Sequence, residues 1–193
     1  GVHGALTSMR EGALLIDHTT TSEALATSLA ASANQSGVAF LDAPVSGGQI
    51  GAESGLLTVM VGADENAFTE ALPLMECYAK SVRRMGPVGT GQLTKMVNQI
   101  CIAGLLQGLS EGIHFAECAG LDVTAAVEVI AQGAAQSWQM NHRAETMIRG
   151  EFDFGFAVDW MRKDLGIAIE AAQSVGAEVP VTQLVDTFYA DVQ

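Results

Sequence analysis

The chain has 193 residues, and 49% of them are hydrophobic, so it is long and apolar enough to bury a substantial core and is not a disordered segment. Its formal net charge of −13 argues against nucleic acid or an anionic membrane surface as a partner, because both require basic patches on the protein. No signal peptide and no apolar run of about 18 residues is present, so we expect no membrane span.

The first part of the chain alternates between strand and helix patterns. The predicted order is strand 13–17, helix 22–35, strand 38–42, strand 56–61, helix 64–77 and strand 81–85. The hydroxyl side chains at 19–22 provide N-cap chemistry for the first helix, and a glycine-rich turn ending at Gly55 leads to the third strand. This alternation predicts an α/β fold, corresponding to the later half of a doubly wound, Rossmann-type sheet.

The pattern changes at Gly86–Gly89, after which no strand is predicted. A long helix over 91–119 is followed by predicted helices over 122–132, 137–149, 158–175 and 180–192. We therefore predict a partial dinucleotide-binding domain over 1–88 and an all-helical substrate and dimerisation domain over 89–193. Five aromatic residues of the helical part are expected in its core: Trp138, Phe152, Phe154, Phe156 and Trp160.

The cysteines indicate a reducing compartment. Their number is odd, and Cys77, Cys101 and Cys118 match neither a C-x-x-C nor a zinc spacing. Together with the absence of a signal peptide, this predicts a cytoplasmic protein with buried free thiols. The histidines show no metal-ligand spacing either, so no metal site is predicted.

Lys95 is the strongest candidate for proton transfer. Its helix neighbours are apolar on nearly all sides, so we expect this turn to be buried, and a buried lysine without a function is rare. To accept a proton near neutral pH, a lysine needs its pKa lowered from about 10.4 to roughly 7–8, which desolvation can achieve. The alternative is an ordinary surface lysine on an amphipathic helix.

Two amides, Asn98 and Gln99, follow Lys95 at i+3 and i+4, on the same face of the helix. They are candidates for orienting the lysine and a substrate oxygen, or else they bond to a neighbouring helix. Ser46-Gly47-Gly48 ends an apolar run and exposes consecutive N–H groups that can hold a carboxylate, unless it is only a loop.

Thr20 and Lys163 are weaker candidates. Thr20 lies in the loop beyond the carboxyl end of strand 13–17, the edge at which open α/β sheets bind ligands, although capping of the next helix also explains it. Lys163 is followed by Asp164 at the start of a helical segment, a pair that a solvated surface equally explains.

Five ordered segments resemble the β-hydroxyacid dehydrogenase family, which includes the 3-hydroxyisobutyrate dehydrogenases. The family's D-x-[ST]-T, D-A-P-V-S-G-G, A-x-x-G-x-L-x-x-M-V-G, G-x-G-x-x-x-K and K-D-L patterns are met at 17–20, 42–48, 52–62, 89–95 and 163–165. Each segment alone is a weak signal, whereas five in the family's order make the resemblance strong.

The resemblance implies a Rossmann domain followed by an all-helical domain that dimerises. It implies hydride transfer between NAD or NADP and the hydroxyl-bearing carbon of a small β-hydroxyacid such as 3-hydroxyisobutyrate. Lys95 would be the acid/base, Ser46, Gly47 and Gly48 would hold the substrate carboxylate, and Asn98 or Gln99 would assist. Thr20 and Lys163 would approach the cofactor.

The family's G-x-G-x-x-G fingerprint does not occur in these residues. Together with a start at Gly1 and an end within a helical pattern, this suggests a fragment, inactive by itself, whose fingerprint would precede Gly1. The alternatives are a tartronate-semialdehyde-type or imine reductase of the same superfamily, or a non-catalytic dimerisation module. Imine reductases of the superfamily generally lack the lysine, so Lys95 favours hydroxyacid chemistry.

Overall fold

In a computed structural model that describes residues 4–193, the first part of the chain forms a five-stranded sheet with helices on both faces; the start of the predicted 1–88 domain lies outside the described residues. The strands are β1 (Leu14–Asp17), β2 (Ala39–Asp42), β3 (Val45–Ser46), β4 (Leu57–Gly62) and β5 (Ala79–Gly86). The helices between them are α1 (Glu23–Gln35), α2 (Gly48–Glu53) and α3 (Glu65–Met75). A single 3-10 turn, Ala5–Thr7, precedes β1.

The sheet is mixed. β1 runs parallel to β2, and β4 runs parallel to β5, as expected for strands joined by helical crossovers. Between these pairs the direction reverses, because β4 is antiparallel to both β2 and β3, with Asp42 opposite Gly62 and Val45 opposite Val59. The predicted strands are therefore present, whereas β3 and the short helix α2 occupy the segment predicted as a glycine-rich turn.

Alternating side chains of the sheet build two apolar layers. On one face, Leu41, Val59 and Val61 pack against Met75 of α3. On the other, Phe40 and its neighbours pack against the alanine stripe of α1, whose N-cap Ser22 accepts a hydrogen bond from the Leu25 N–H. The small alanines let α1 approach the sheet closely.

The second part of the chain is helical, with α4 (Thr90–Cys118), α5 (Val123–Ile130), α6 (Trp138–Ile148), α7 (Val158–Ser174) and α8 (Pro180–Val192). The 29 residues of α4 make a helix about 43 Å long. Its first half packs against α7 and α8 around Ala103 and Leu165, and its second half packs against α5 and α6 around Ile113 and Met140. Within residues 4–193, no helix combines the length and the apolarity needed to cross a membrane.

Two predictions about burial are wrong. The three cysteines are free but exposed, because Cys101 and Cys118 lie on the solvent side of α4 and Cys77 follows the end of α3. The five aromatic side chains predicted in the helical core are also exposed. They gather around α6, the segment after it and the first turn of α7, where the Arg143 guanidinium lies 4.0 Å from the centre of the Phe154 ring.

Candidate active site

The N-terminus of α4 is attached to the sheet by the carboxylate of Asp42. Its two oxygens accept the backbone N–H groups of Gly89 (2.7 Å) and Gln92 (2.9 Å), which have no partner within the helix. Burial raises the pKa of Asp42, although these hydrogen bonds act in the opposite direction. Gly91 is required here, since a Cβ would lie 2.5 Å from the Met60 carbonyl oxygen. This close contact fixes the position of the turn that carries Lys95.

Lys95 is buried, with 7% of its surface exposed, as predicted. The turn is not buried on all sides, because Val97 faces solvent while Met96 is covered. Burial lowers the pKa of the Lys95 ammonium; the carboxylate of Asp164 opposes this shift and the ammonium of Lys163 adds to it. None of the ion pairs among residues 4–193 includes Lys95. The Lys95 ammonium therefore gives up its proton more readily than that of a solvated lysine.

The two amides after Lys95 form a chain of hydrogen bonds that ends at a buried carboxylate. Asn98 Nδ2 donates to Gln99 Oε1 (2.8 Å), and Gln99 Nε2 donates to Asp164 Oδ2 (2.7 Å). Gln99 is fully buried and Asn98 is half-buried. Gln99 is thus the amide held by α7, and Asn98 is the one nearer to solvent.

Asp164 is only 1% exposed. Its Oδ1 atom has no hydrogen bond of good geometry among the described residues, yet it lies 3.1 Å from Lys163 Nζ. We regard this contact as a charge–charge interaction, since opposite charges attract at this distance without hydrogen-bond alignment. The carboxylate of Asp164 therefore contacts Lys163, and its charge also acts on Lys95.

Thr20 and Lys163 are brought together by the fold. Lys163 Nζ donates to the Thr20 carbonyl oxygen (2.7 Å), linking α7 to the loop at the carboxyl end of β1. The Lys163 side chain is only partly covered, so its ammonium is accessible to a ligand. A partly exposed cation therefore lies beyond the carboxyl end of a parallel strand, the edge at which open α/β sheets bind ligands.

Ser46, Gly47 and Gly48 form the end of β3 and the start of α2. Gly47 (φ 128°) and Gly48 (φ 61°) both adopt positive φ angles, which side chains disfavour. Ser46 is half-buried and the two glycines are exposed, at the beginning of a helix whose first N–H groups have no partner within the helix. No hydrogen bond within residues 4–193 joins this segment to Lys95, Thr20 or Lys163.

Sequence patterns alone did not assign roles to Asp42, Gln92 or Asp164. Asp42 and Asp164 stand inside the motifs quoted above, beside the residues that were assigned. The signal of Asp42 is a carboxylate within an apolar run, which here marks a buried charge; Asp164, directly after Arg162 and Lys163, has no such signal. Within the described part of the chain, no group of three or more His, Cys, Asp or Glu residues is arranged to hold a metal ion.

Comparison with known proteins identifies both parts of the chain. A family model described as the NAD binding domain of 6-phosphogluconate dehydrogenase matches residues 1–86. A second model, described as NAD-binding of NADP-dependent 3-hydroxyisobutyrate dehydrogenase, matches residues 89–193. Both models describe nicotinamide-dinucleotide-binding proteins.

Individual proteins that are similar to this chain are described as oxidoreductases. An uncharacterised oxidoreductase of Shewanella frigidimarina is 57% identical over 193 residues, covering 100% of this chain and 66% of that protein. The 2-hydroxy-3-oxopropionate reductase of Escherichia coli is 35% identical over 182 residues, covering 94% of this chain and 62% of the reductase. The crystal structure of 3-hydroxyisobutyrate dehydrogenase from Salmonella typhimurium superposes with a TM-score of 0.89 at 29% identity, covering 97% of this chain and 66% of that one. The chain thus spans less than two thirds of the length of these proteins.

Proposed function

This chain belongs to the β-hydroxyacid dehydrogenase family, and we propose that it forms the catalytic part of an NAD- or NADP-dependent oxidoreductase acting on a small β-hydroxyacid. The observation that carries the proposal is Lys95, a buried lysine whose pKa is lowered by desolvation and which no ion pair among residues 4–193 engages. A lysine whose pKa is lowered can accept and return a proton closer to neutral pH than a solvated lysine can.

In the oxidative direction, the neutral amine of Lys95 accepts the proton of the substrate hydroxyl as the C–H bond of the same carbon breaks. A nicotinamide cofactor held at Thr20 and Lys163 would supply the hydride acceptor for that C–H bond. In the reductive direction, the Lys95 ammonium returns the proton to the carbonyl oxygen. Gln99, held by Asp164, keeps the polar face of α4 ordered around the reacting oxygen, and the half-buried Asn98 is the amide nearer to substrate.

We assign the substrate carboxylate to Ser46, Gly47 and Gly48. The N–H groups in the first turn of α2, which have no partner within the helix, support this assignment, as do the positive φ angles of both glycines, because they allow the backbone to approach an anion closely. We assign the nicotinamide end of the cofactor to Thr20 and Lys163, supported by their mutual hydrogen bond at the carboxyl end of β1.

A semialdehyde reductase is the second candidate. It is supported by the 35% identity with the Escherichia coli 2-hydroxy-3-oxopropionate reductase, and it uses the same residues in the reductive direction. An imine reductase is less favoured, since reduction of an imine does not require a lysine that protonates an alkoxide.

We also propose a homodimer or higher homo-oligomer assembled through the helical part, in the cytoplasm. The exposed aromatic residues around α6 support the dimer, as does an apolar cavity of about 260 Å³ between α4, α5 and α6, because monomers rarely expose large apolar surfaces. The three free thiols support a reducing compartment.

The test is a substrate panel assayed with the full-length protein. The hydroxy compounds are tested with NAD and NADP as hydride acceptors, and the semialdehyde and the imine with NADH and NADPH as hydride donors. The panel contains 3-hydroxyisobutyrate, tartronate semialdehyde, a 2-hydroxyacid, the amide of 3-hydroxyisobutyrate and a cyclic imine. The proposal predicts turnover of the first two and a large loss with the amide, which lacks the carboxylate. Turnover of the imine alone, or of none of them, would refute it.

A further inference from the structure

The side chain of Gln92 is fully buried (0% exposed), and both ends of its amide are used. Its Nε2 atom donates to the Thr19 carbonyl oxygen (2.7 Å), and its Oε1 atom accepts from the Thr21 N–H (3.0 Å). One side chain therefore holds the backbone on both sides of Thr20. We refer to residues Thr19–Thr21 as the 19–21 loop.

Gln92 is itself held firmly. Its backbone N–H donates to Asp42 Oδ2 (2.9 Å), so its main chain is attached to β2 while its side chain reaches the 19–21 loop. Few other contacts hold this loop: the Thr19 N–H donates to Asp17 Oδ1 (3.0 Å), and the Thr20 carbonyl accepts from Lys163. The amide of Gln92 is thus the contact that links the loop to α4.

Gln92 and Lys95 are three positions apart on α4, and residues at i and i+3 share one face of a helix. The 19–21 loop and the Lys95 amine therefore have a common rigid reference, one helical turn in length. A displacement of the loop relative to α4 would change the distance between whatever Thr20 contacts and the lysine.

We propose that Gln92 is a positioning residue, whose amide fixes the 19–21 loop to the helix carrying Lys95 and thereby sets the position of the nicotinamide relative to the proton acceptor. The inference rests on the proposed function, because it assumes that Thr20 meets the cofactor. Gln92 touches neither the substrate nor the reacting atoms; it acts through the loop.

The decisive variant is Gln92→Glu. An ionised carboxylate still accepts from the Thr21 N–H, but its other oxygen faces the Thr19 carbonyl oxygen and repels it. A protonated carboxyl group restores the donor, since its O–H can replace the N–H of the amide. In this variant the proposed positioning therefore depends on pH, and it can be tested by comparing the pH dependence of kcat with that of the unaltered enzyme.

The experiment measures kcat for reduction of the preferred semialdehyde across pH 5–9. It also measures the dissociation constant of NADPH or NADH over the same pH range. We expect kcat of Gln92→Glu to be about 10- to 100-fold below that of the unaltered enzyme at high pH, because small errors of alignment are costly. The ratio of the two kcat values should approach one as pH falls. The substitution should change the cofactor dissociation constant by a smaller factor than it changes kcat.

Two further variants separate positioning from stability. Gln92→Met removes both hydrogen bonds at similar size and should lose kcat equally at every pH. Gln183→Glu makes the same chemical change on the exposed face of α8 and should leave kcat unchanged. If Gln92→Glu does not fold, the kcat of Gln92→Met decides.

Folded Gln92 variants with the kcat of the unaltered enzyme at all pH values would overturn the inference. If the unaltered enzyme turns over none of the panel, the proposed function fails instead. Hydrogen exchange at the Thr21 amide then tests whether Gln92 fixes the 19–21 loop. Exchange should be faster in Gln92→Met than in Gln183→Glu, and equal rates would overturn the inference.

Discussion

The ammonium of Lys163 donates a 2.7 Å hydrogen bond to the carbonyl oxygen of Thr20, which lies 143 positions earlier in the chain. This contact joins the helical part of the chain to the loop at the carboxyl end of β1. The same ammonium lies 3.1 Å from the buried carboxylate of Asp164, whose other oxygen accepts from Gln99 on α4. The loop, α7 and the helix of Lys95 therefore meet in one polar network. A substitution in one of them should alter the hydrogen bonds of the others.

Replacing the proposed acid/base should abolish most of the activity. We expect Lys95→Ala to lower kcat by about 10²- to 10⁴-fold, because the hydroxyl proton loses its acceptor, with little change in cofactor affinity. Steady-state kinetics on the best substrate measures this. Lys80→Ala, which removes the exposed lysine of β5, is the matched control and should behave as the unaltered enzyme. A Lys95→Ala enzyme within threefold of the unaltered kcat would remove Lys95 from the mechanism.

The charges around Lys95 should set the pH profile of oxidation. The rate should rise with pH as the ammonium deprotonates, with a midpoint below the ordinary lysine pKa of 10.5 because burial lowers the pKa. The Asp164 carboxylate raises the pKa of Lys95, so Asp164→Asn should move the midpoint to lower pH. The Lys163 ammonium lowers it, so Lys163→Met should move the midpoint to higher pH.

These two shifts are read from kcat/KM for the hydroxyacid at saturating cofactor, so that a change in cofactor binding does not enter. The control is again the exposed lysine, as Lys80→Met. Shifts of both midpoints in the same direction, or none in either variant, would show that the titrating group is not Lys95.

The carboxylate of Asp42 should contribute more to the free energy of unfolding than an ordinary helix-capping side chain does. Asp42→Asn keeps one acceptor but turns an NH2 group toward the N–H of Gly89 or Gln92, so we expect a loss of about 1–3 kcal/mol of unfolding free energy. Asp64→Asn is the matched control, since Asp64 caps α3 at an exposed position where asparagine caps equally well. Urea unfolding of both variants measures the difference, and equal losses would contradict the assigned role.

The helical part should form the subunit interface. Phe115 on α4 and Val129 on α5 are 70% and 73% exposed, large fractions for apolar side chains. We expect the unaltered protein to sediment as a dimer at micromolar concentration and the Phe115→Glu, Val129→Glu double variant to sediment as a monomer. Val192→Glu, at the exposed end of α8, should remain dimeric. A monomeric unaltered protein would disprove the interface.

Much of the fold could be predicted because its elements carry local signals. β1 and β4 are apolar runs between turn residues, and α4 follows Gly89 as a long apolar pattern. β3 and α2, with two and six residues, are too short to show a periodicity. The antiparallel direction of β4 was equally hidden, since an apolar run contains no information about the direction of its neighbours.

The candidate site was predictable where a residue type was unusual in its surroundings. Lys95 stood out as a lysine among apolar neighbours, and it is buried. Gln92 did not, because a glutamine in a helix is as common on a surface as in a core, and only the fold brings the 19–21 loop to it. The aromatic cluster around Phe154 was predicted to be buried but is exposed, because apolar composition alone does not distinguish a core from a surface.

The most direct test of the central claim is the fate of one hydrogen atom. With 3-hydroxyisobutyrate deuterated at its hydroxyl-bearing carbon and NAD or NADP as the acceptor, proton NMR of the reduced cofactor reports where the deuterium goes. We expect the unaltered enzyme to place deuterium at C4 of the nicotinamide. In the same reaction time, Lys95→Ala should form little or no deuterated cofactor. Reduced cofactor formed from this substrate without deuterium at C4, or equal transfer by Lys95→Ala, would contradict the central claim.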